Sequence, residues 1–322
     1  MFSTPITRAA MSAVAAGAVI VLSSCAAASA TTPATEKKPF GEVTKVKTVA
    51  SFELAQGQLP ENIVKAGDGV AVTFAASRQI ATISKKGEVD ILGTLPSPAE
   101  GAQTPVLGFA LASGLAAVDG DFFALYATGD AATTGLWKLS NGEFELVAAL
   151  SADGVPNGLV FDETHDRFLA ADSVLGIIYS IGTDGSVETF SDDPALASAG
   201  FVGVNGLQLH NGDLFASNLD AGQILQIDIA SDGTAGTFSV EAQDVAGIDD
   251  FAFTGRGDQI VATINPTSEL VLITDGVAET VLTAADGLSN PTSVLVDGRT
   301  IWVPSAAYLT QSNPNLLTAK LS

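Results

Sequence analysis

A short phrase that recurs every 43 to 50 residues constrains the fold of this chain more than any other feature. Its clearest copies are Pro-Asn-Gly-Leu at 156–159, Val-Asn-Gly-Leu at 204–207 and Ile-Asp-Asp-Phe at 248–251. Looser copies begin at positions 60, 106 and 291, so six units tile the chain. Self-similarity at a period of about 40 to 50 residues is typical of β-propeller blades and of solenoids.

Each unit contains the pattern of a small antiparallel sheet. Short β-rich runs such as 167–171, 176–181 and 187–190 alternate with Gly, Asp and Asn turns, and no amphipathic helix lies between them. Four strands per unit make a blade. The sequence therefore predicts an all-β fold, a six-bladed β-propeller with blades that begin near 60, 105, 156, 204, 248 and 291.

The two ends of the repeat array complement each other. The sixth unit ends after three strands, whereas an unassigned β-rich segment, 46–54, precedes the first phrase. Pairing this segment beside 316–321 would close the ring with an N-terminal strand in the last blade and would remove both exposed sheet edges. We therefore predict one propeller domain over residues 45–322.

The N-terminus predicts export. Residues 1–24 carry one charged side chain, Arg8, followed by an apolar run at 11–22 that is too short to span a bilayer comfortably, which is typical of a signal peptide. The run ends in Leu-Ser-Ser-Cys25, which resembles the bacterial lipobox, so Cys25 is predicted to carry a lipid on the cell membrane. Residues 25–44 would form a flexible tether. Cleavage after the Ala-Ser-Ala at 28–30 is the alternative, and it would give a secreted protein.

The charge and the cysteine content of the chain limit the kinds of partner and the covalent links that it can have. The chain has 14 Lys plus Arg against 36 Asp plus Glu, a net charge of -22, so nucleic acid would be repelled. We expect neutral, cationic or metal-ion partners and a monomer. A single cysteine excludes a disulfide within the chain.

The residues that open the repeated phrase form the candidate site. In a propeller the first strand of each blade lines the central channel, so these residues should form one ring, which reads Glu61, Leu107, Asn157, Asn205, Asp249, Thr292. Glu61, Asn157, Asn205 and Asp249 supply hard oxygen donors, and we predict that they bind one divalent cation, with Ca²⁺ expected. The ring offers no Cys or His, which disfavours zinc.

Simpler roles are open for several of these residues. Asn-Gly is the commonest hairpin dipeptide, so Asn157 and Asn205 could each shape a turn. Asp172 and Asn218 end second strands and could orient the ligands or cap loops. Asp250 could be a further ligand, a catalytic group or a hydrogen-bonding residue at a strand start.

The phrase Pro156-Asn157-Gly158-Leu159, followed by Ala171-Asp172-Ser173, resembles the senescence marker protein/gluconolactonase (regucalcin-like) family of six-bladed propellers, which is related to paraoxonases and strictosidine synthases. The resemblance covers residues 46–321. It implies that Glu61, Asn157, Asn205 and Asp249 hold one catalytic divalent cation, as a Glu, two Asn and an Asp do in that family. Two departures are Pro-Glu-Asn at 60–62, where the lactonases have Glu-Gly-Pro, and Asp-Asp at 249–250, where Asp-Gly is usual.

Two functions follow from this reading. The first is a metal-dependent hydrolase of lactones or esters, in which Asp249 acts as the general base and Asp250 is the alternative base. The second is a non-catalytic propeller in which calcium is structural and the loops bind a ligand or a protein in the cell envelope. The substrate stays open, because specificity would lie in loops such as 129–134 and 192–203, which carry no recognisable motif.

Overall fold

A computed structural model describes residues 37–322, which form six four-stranded antiparallel sheets arranged as the blades of a β-propeller. The predicted fold class is therefore confirmed. The predicted signal peptide, Cys25 and the first part of the predicted tether lie outside the described residues.

Twenty-four strands make up the blades. Strand β1 (Val43–Ser51) belongs to the last blade. The first three blades are β2 (Pro60–Ala66), β3 (Gly69–Phe74), β4 (Gln79–Ile83) and β5 (Val89–Thr94); β6 (Leu111–Val118), β7 (Asp121–Ala127), β8 (Gly135–Ser140) and β9 (Glu143–Ala149); β10 (Pro156–Asp162), β11 (Arg167–Asp172), β12 (Ile177–Gly182) and β13 (Val187–Ser191). The last three blades are β14 (Val204–His210), β15 (Asp213–Asn218), β16 (Gln223–Ile229) and β17 (Ala235–Ala242); β18 (Ile248–Phe253), β19 (Ile260–Ile264), β20 (Glu269–Thr274) and β21 (Val277–Leu282); β22 (Leu295–Asp297), β23 (Thr300–Ser305) and β24 (Asn315–Leu321). Three single-turn 3₁₀ helices lie in the connections, at Leu54–Gln56, Pro194–Leu196 and Ala284–Asp286.

Burial within a blade follows from the position of each strand. The second strands are mostly buried, and all six residues of β3 are buried, because both of their faces pack against other blades. The outermost strands are half polar, and four of the six residues of β21 are exposed. The apolar core therefore lies between neighbouring blades, as in the cluster that joins Leu169 and Ala171 of the third blade to Leu207 and Leu214 of the fourth.

Closure of the ring by the N-terminal strand is confirmed. Strand β1 pairs antiparallel with β24, from Val43 opposite Leu321 to Ser51 opposite Asn315. Contacts with the propeller also extend ahead of the predicted domain boundary at residue 45. Phe40 is buried in the core of the last two blades, and its backbone N–H donates to Gln259 at 2.9 Å.

The predicted start of the second blade, near residue 105, is wrong. Its first strand begins at Leu111, whereas the looser copy of the phrase placed it near 105. Pro105 and Gly108 form a tight loop there, closed by a bond from the N–H of Leu107 to the carbonyl of Pro105 at 2.6 Å. Leu107 therefore does not belong to the ring. Its place is taken by Ser113, which lies in the same strand position as Asn157 in the third blade.

A β-bulge falls at one position in the first strand of five blades. The register shifts lie between Pro60 and Ile63, Ala112 and Leu115, Pro156 and Leu159, Val204 and Leu207, and Ile248 and Phe251. A bulge inserts one extra residue and re-aims the side chains beside it. The bulge holds the second residue of the phrase in four of these blades (Glu61, Asn157, Asn205 and Asp249) and Ser113 in the second blade.

Candidate functional site

One residue from each blade contributes to the ring: the five bulge residues Glu61, Ser113, Asn157, Asn205 and Asp249, and Thr292, which precedes β22 of the sixth blade. Side-chain hydroxyls join neighbouring blades at this level. Ser113 Oγ donates to the carbonyl of Pro156 at 2.7 Å, and Thr292 Oγ1 donates to the carbonyl of Pro60 at 2.9 Å. The small polar members of the ring thus join neighbouring blades.

Asn205 and Asp249 are in direct contact, as their shared ring position predicts. The Asn205 Nδ2 donates to Asp249 Oδ1 at 2.5 Å, and the Asn205 Oδ1 accepts from Ser173 Oγ at 2.8 Å. Ser173 follows the second strand of the third blade, so two blades fix the plane of this amide. The arrangement orients the carboxylate of Asp249 from the side of the fourth blade.

Glu61 enters the site from the first blade. It is only 7% exposed, and its Oε2 accepts a hydrogen bond from the hydroxyl of Tyr308 at 2.5 Å. Burial raises the pKa of Glu61 to about 7; the bond from Tyr308 opposes this shift and the charge of Asp250 adds to it. Tyr308 lies in the connection between β23 and β24, outside the repeated phrase.

Asp249 and Asp250 place two more carboxylates in the same region, 8% and 7% exposed. Burial raises the pKa of Asp249 well above its ordinary value, and the charges of Glu61 and Asp250 raise it further. Burial also raises the pKa of Asp250 to about 6. Within residues 37–322, no Lys, Arg or His forms an ion pair with any of the three. The acidic charge is therefore not compensated by a basic side chain.

Both oxygens of Asp250 are already engaged. The Oδ2 accepts from Ser293 Oγ at 2.5 Å and from Asn62 Nδ2 at 3.5 Å, and the Oδ1 accepts from the N–H of Phe251 at 2.8 Å. These partners come from the sixth, first and fifth blades. Asp250 therefore joins three blades directly beneath the ring.

Asn157 differs from its counterpart in the fourth blade. Its side chain is half-buried and makes no hydrogen bond to any part of the chain that the structure describes. An amide at the axis without a protein partner can offer its oxygen to a ligand. The alternative role of Asn157 and Asn205 in hairpin turns does not describe the structure, because both lie inside first strands.

Asp172 and Asn218 serve the loops beside the site. Asp172 Oδ1 accepts from the N–H groups of Val155, Val174 and Leu175 at 2.9 to 3.2 Å. Asn218 Nδ2 donates to the carbonyls of Ala195 and Ala197 at 2.9 and 3.0 Å. In the described residues neither side chain bonds to a ring residue, so the structure supports loop capping, which the sequence left open, rather than ligand orientation.

The channel beneath the ring forms a cavity of about 790 Å³. Asn62 and Asp250 lie among its lining residues, together with Lys65 in β2 and Glu163 in the turn after β10, whereas none of the four predicted ligands lines it. The predicted ligands are therefore separated from this cavity by the residues beneath the ring. Both histidines lie outside the site, His165 bonded to Asp162 at 2.7 Å and His210 stacked on Phe253 at 3.7 Å.

The residue types of the ring fit a hard divalent cation. Carboxylate and amide oxygens are the donors that Ca²⁺ takes, and uncompensated buried carboxylates would be stabilised by a cation. The residues that the structure describes contain no group of three or more His, Cys, Asp or Glu placed to hold a metal ion. A cation site here would accordingly need the neutral oxygens of Asn157 and Asn205 as well as the carboxylates.

Comparisons with known proteins give fold-level likeness. No family model matches the chain, and no curated protein matches it. Solved structures do. Luciferin-regenerating enzyme is 12% identical with a TM-score of 0.62, and 86% of this chain and 95% of that chain are covered. A calcium-binding protein, regucalcin, from Agrobacterium tumefaciens is 14% identical with a TM-score of 0.60, covering 88% and 94%. A putative gluconolactonase is 15% identical with a TM-score of 0.61, covering 88% and 93%.

The neighbours are not restricted to lactonases, since they include virginiamycin B lyase from Staphylococcus aureus and a nidogen–laminin complex. The chain thus shares the six-bladed propeller fold of regucalcin, gluconolactonase and luciferin-regenerating enzyme, which confirms the resemblance at the level of fold.

In residues 37–322, no helix has the length and apolar character that a bilayer crossing requires.

Proposed function

We propose that this protein is a metal-dependent hydrolase of lactones or related esters, and that Glu61, Asn157, Asn205 and Asp249 hold the cation, with Ca²⁺ expected. The observation that carries the proposal is that Glu61, Asp249 and Asp250 are buried near enough for charge on one to raise the pKa of another, while no basic side chain in residues 37–322 pairs with them. Burying carboxylates without a basic partner is costly, so a bound cation beside them would stabilise the fold. Regucalcin and gluconolactonase among the neighbours agree with the proposal.

The cation would supply Lewis-acid polarisation of the substrate carbonyl. Asp249 would accept a proton from water as the water oxygen bonds to the carbonyl carbon. The carbon–oxygen bond of the lactone ring then breaks, and the proton passes from Asp249 to the departing oxygen, which gives a hydroxy acid.

We assign the base to Asp249 in preference to Asp250. Both oxygens of Asp250 accept hydrogen bonds from Ser293, Asn62 and the N–H of Phe251, which restrain that carboxylate. Asp250 would then support the site by its position and its charge, and Asn205 would fix the orientation of Asp249.

A non-catalytic propeller with a structural cation is the second candidate. The observation that favours it is the low exposure of Glu61, Asn205 and Asp249, since a cation wrapped by protein has no open position for a substrate. The propeller of the nidogen–laminin complex has the same fold, so fold does not choose between the two functions.

A hydrolysis screen separates the two candidates. The full chain would be assayed against a panel of γ- and δ-lactones and p-nitrophenyl esters, with Ca²⁺ and with a chelator, beside Asp249→Asn and the remote control His165→Ala. Calcium-dependent hydrolysis that Asp249→Asn abolishes and His165→Ala retains supports the hydrolase. Calcium binding by calorimetry without hydrolysis of any panel member favours the structural role.

We also propose that the protein is exported and held at the bacterial cell membrane by a lipid on Cys25. This rests on the sequence of residues 1–25, where a short apolar run ends at the lipobox-like Leu-Ser-Ser-Cys. Secretion after cleavage at residues 28–30 is the competing outcome, and labelling with a radioactive fatty acid distinguishes the two.

A further inference from the structure

An apolar wall stands beside the acidic ring, at the end of the propeller where first strands begin and second strands end. It consists of the half-buried side chains Leu59, Leu107, Phe109, Val174 and Tyr308, which pack together on a buried apolar base. Tyr308 belongs to both structures, because its ring packs in the wall and its hydroxyl donates to Glu61. The wall is therefore continuous with the proposed site.

Exposed apolar side chains extend the wall into solvent. Val106, Leu175 and Leu309 each neighbour a wall residue in sequence, and they are 56%, 40% and 66% exposed. Single exposed apolar residues are ordinary, but three that each flank a residue of one apolar cluster are what a ligand-binding surface would show.

Backbone strain accompanies the exposure at Val106. Its φ is +65°, in the left-handed region that β-branched residues rarely adopt, and such a residue costs of order 1 to 3 kcal/mol. The loop is held by bonds from Gly108 N–H to the Thr104 carbonyl at 3.1 Å and from Thr104 Oγ1 to the Phe109 carbonyl at 2.7 Å. The strained backbone at Val106 thus lowers the stability of the fold while it holds an apolar side chain exposed to solvent next to the site.

The Tyr308 loop is also fixed in place. The Oδ1 of Asn290 accepts from the N–H groups of Leu309 and Thr310, both at 2.9 Å, and Gln311 Nε2 donates to the Tyr308 carbonyl at 2.6 Å. A surface that is rigid before binding loses little conformational entropy when a ligand arrives. The wall is therefore preorganised on both of its exposed sides.

We propose that the substrate is a lactone or ester whose non-reacting part is an apolar chain, and that this chain lies against the wall while the carbonyl faces the ring. The inference rests on the proposed function and adds the substrate class to it. A polyhydroxylated lactone would leave hydroxyls unpaired against Leu107, Phe109 and Val174, which costs free energy, whereas an alkyl chain gains by leaving water.

The test is a chain-length series. Values of kcat/KM for γ-butyrolactone, γ-hexalactone and γ-nonalactone would be compared with that for D-glucono-δ-lactone, with Ca²⁺ present. If half of each added methylene is buried, kcat/KM should rise by about twofold per methylene. Leu309→Ser and Leu175→Ser should lower the nonalactone-to-butyrolactone ratio by about threefold or more. The matched control Val277→Ser, 70% exposed in an outer strand, should leave that ratio unchanged.

Failure of the proposed function is distinguishable from failure of this inference. If no lactone is hydrolysed but calorimetry shows that γ-nonalactone binds wild type and not Leu309→Ser, the hydrolase is wrong and the apolar site stands. Hydrolysis without chain-length dependence, or a preference for D-glucono-δ-lactone, overturns the inference and leaves the hydrolase intact. The wall could instead contact a lipid surface, and flotation with phosphatidylcholine vesicles, in a Cys25→Ala background, tests this. If the protein binds vesicles, Leu309→Ser abolishes that binding and hydrolysis shows no chain-length dependence, the inference of an apolar substrate chain is overturned.

Discussion

Replacing Glu61 by Gln should stabilise the metal-free protein at alkaline pH. Burial raises the pKa of Glu61 from 4.5 to about 7, so the folded state holds this proton more tightly than the unfolded state does. Stability from this group is complete below pH 4.5 and is lost as the pH rises through about 7. At 1.36 kcal/mol per pKa unit the loss amounts to about 3 kcal/mol above pH 8, and a neutral Gln of the same shape avoids it.

The assay is urea unfolding in EDTA at pH 5 and pH 8.5, followed by the fluorescence of buried Trp302, which packs in the same cluster as Ile63 of the first blade. Glu61→Gln should exceed wild type by about 1 kcal/mol or less at pH 5 and by about 3 kcal/mol at pH 8.5. The exposed control Glu143→Gln should follow wild type at both values. Comparing variants at one pH removes the general self-repulsion of a chain with a net charge of -22.

Added Ca²⁺ should reverse the order of stability, so that wild type becomes more stable than Glu61→Gln. A ligand that binds only the folded state stabilises it in proportion to the logarithm of its concentration, so wild type should gain stability and Glu61→Gln should gain less. A Glu61→Gln variant that is no more stable than wild type at pH 8.5 in EDTA would refute the reasoning, because the carboxylate would then be either solvated or already paired.

Three further predictions address the ligands, the glycines and the anchor. Asp249→Ala should abolish Ca²⁺ binding in calorimetric titration, whereas Asn157→Ala should weaken it less, since it removes a neutral donor; equal losses would contradict the assigned ligand set. Gly158→Ala should lower the midpoint of urea unfolding, because a Cβ there would collide with the carbonyl of the next blade, while Gly41→Ala, which has open space around it, should leave the midpoint unchanged. Cys25→Ala should release the protein from the membrane fraction, and unchanged sedimentation with membranes would count against lipidation.

The fold was predictable because several independent patterns agree on it. Four strands per repeat, six repeats and one spare strand at the N-terminus leave few arrangements other than a closed six-bladed ring. The pairing of β1 with β24 confirms that reasoning. The error at the second blade has a physical cause: the letters Val-Leu-Gly-Phe match the phrase, but Pro105 and Gly108 shape a loop there and the first strand starts six residues later than predicted, at Leu111.

The sequence predicted the residues of the candidate site only where they occupy a position of the repeated phrase. The contact between Asn205 and Asp249 follows from their common position in neighbouring blades. Tyr308 could not be found in this way, because it lies in the connection between the second and third strands, which is longer in the last blade than in the others and falls outside the repeated phrase. Ser293 and Asn62 follow ring residues in the sequence, but nothing in the repeat indicates that they bond to Asp250, since that contact spans three blades.

The glycine of the repeated phrase explains why Asn-Gly appears twice in a channel-lining strand. Neither Gly158 nor Gly206 has a positive φ, so the left-handed conformation of a hairpin turn is not the reason for glycine at these positions. A Cβ on Gly158 would meet the carbonyl oxygen of Asn205, and a Cβ on Gly206 would meet the carboxylate of Asp250. Gly158 therefore leaves room for the backbone of the bulge residue Asn205, and Gly206 leaves room for Asp250, the residue after the bulge residue Asp249. These close approaches of neighbouring first strands accompany the direct contact between Asn205 and Asp249.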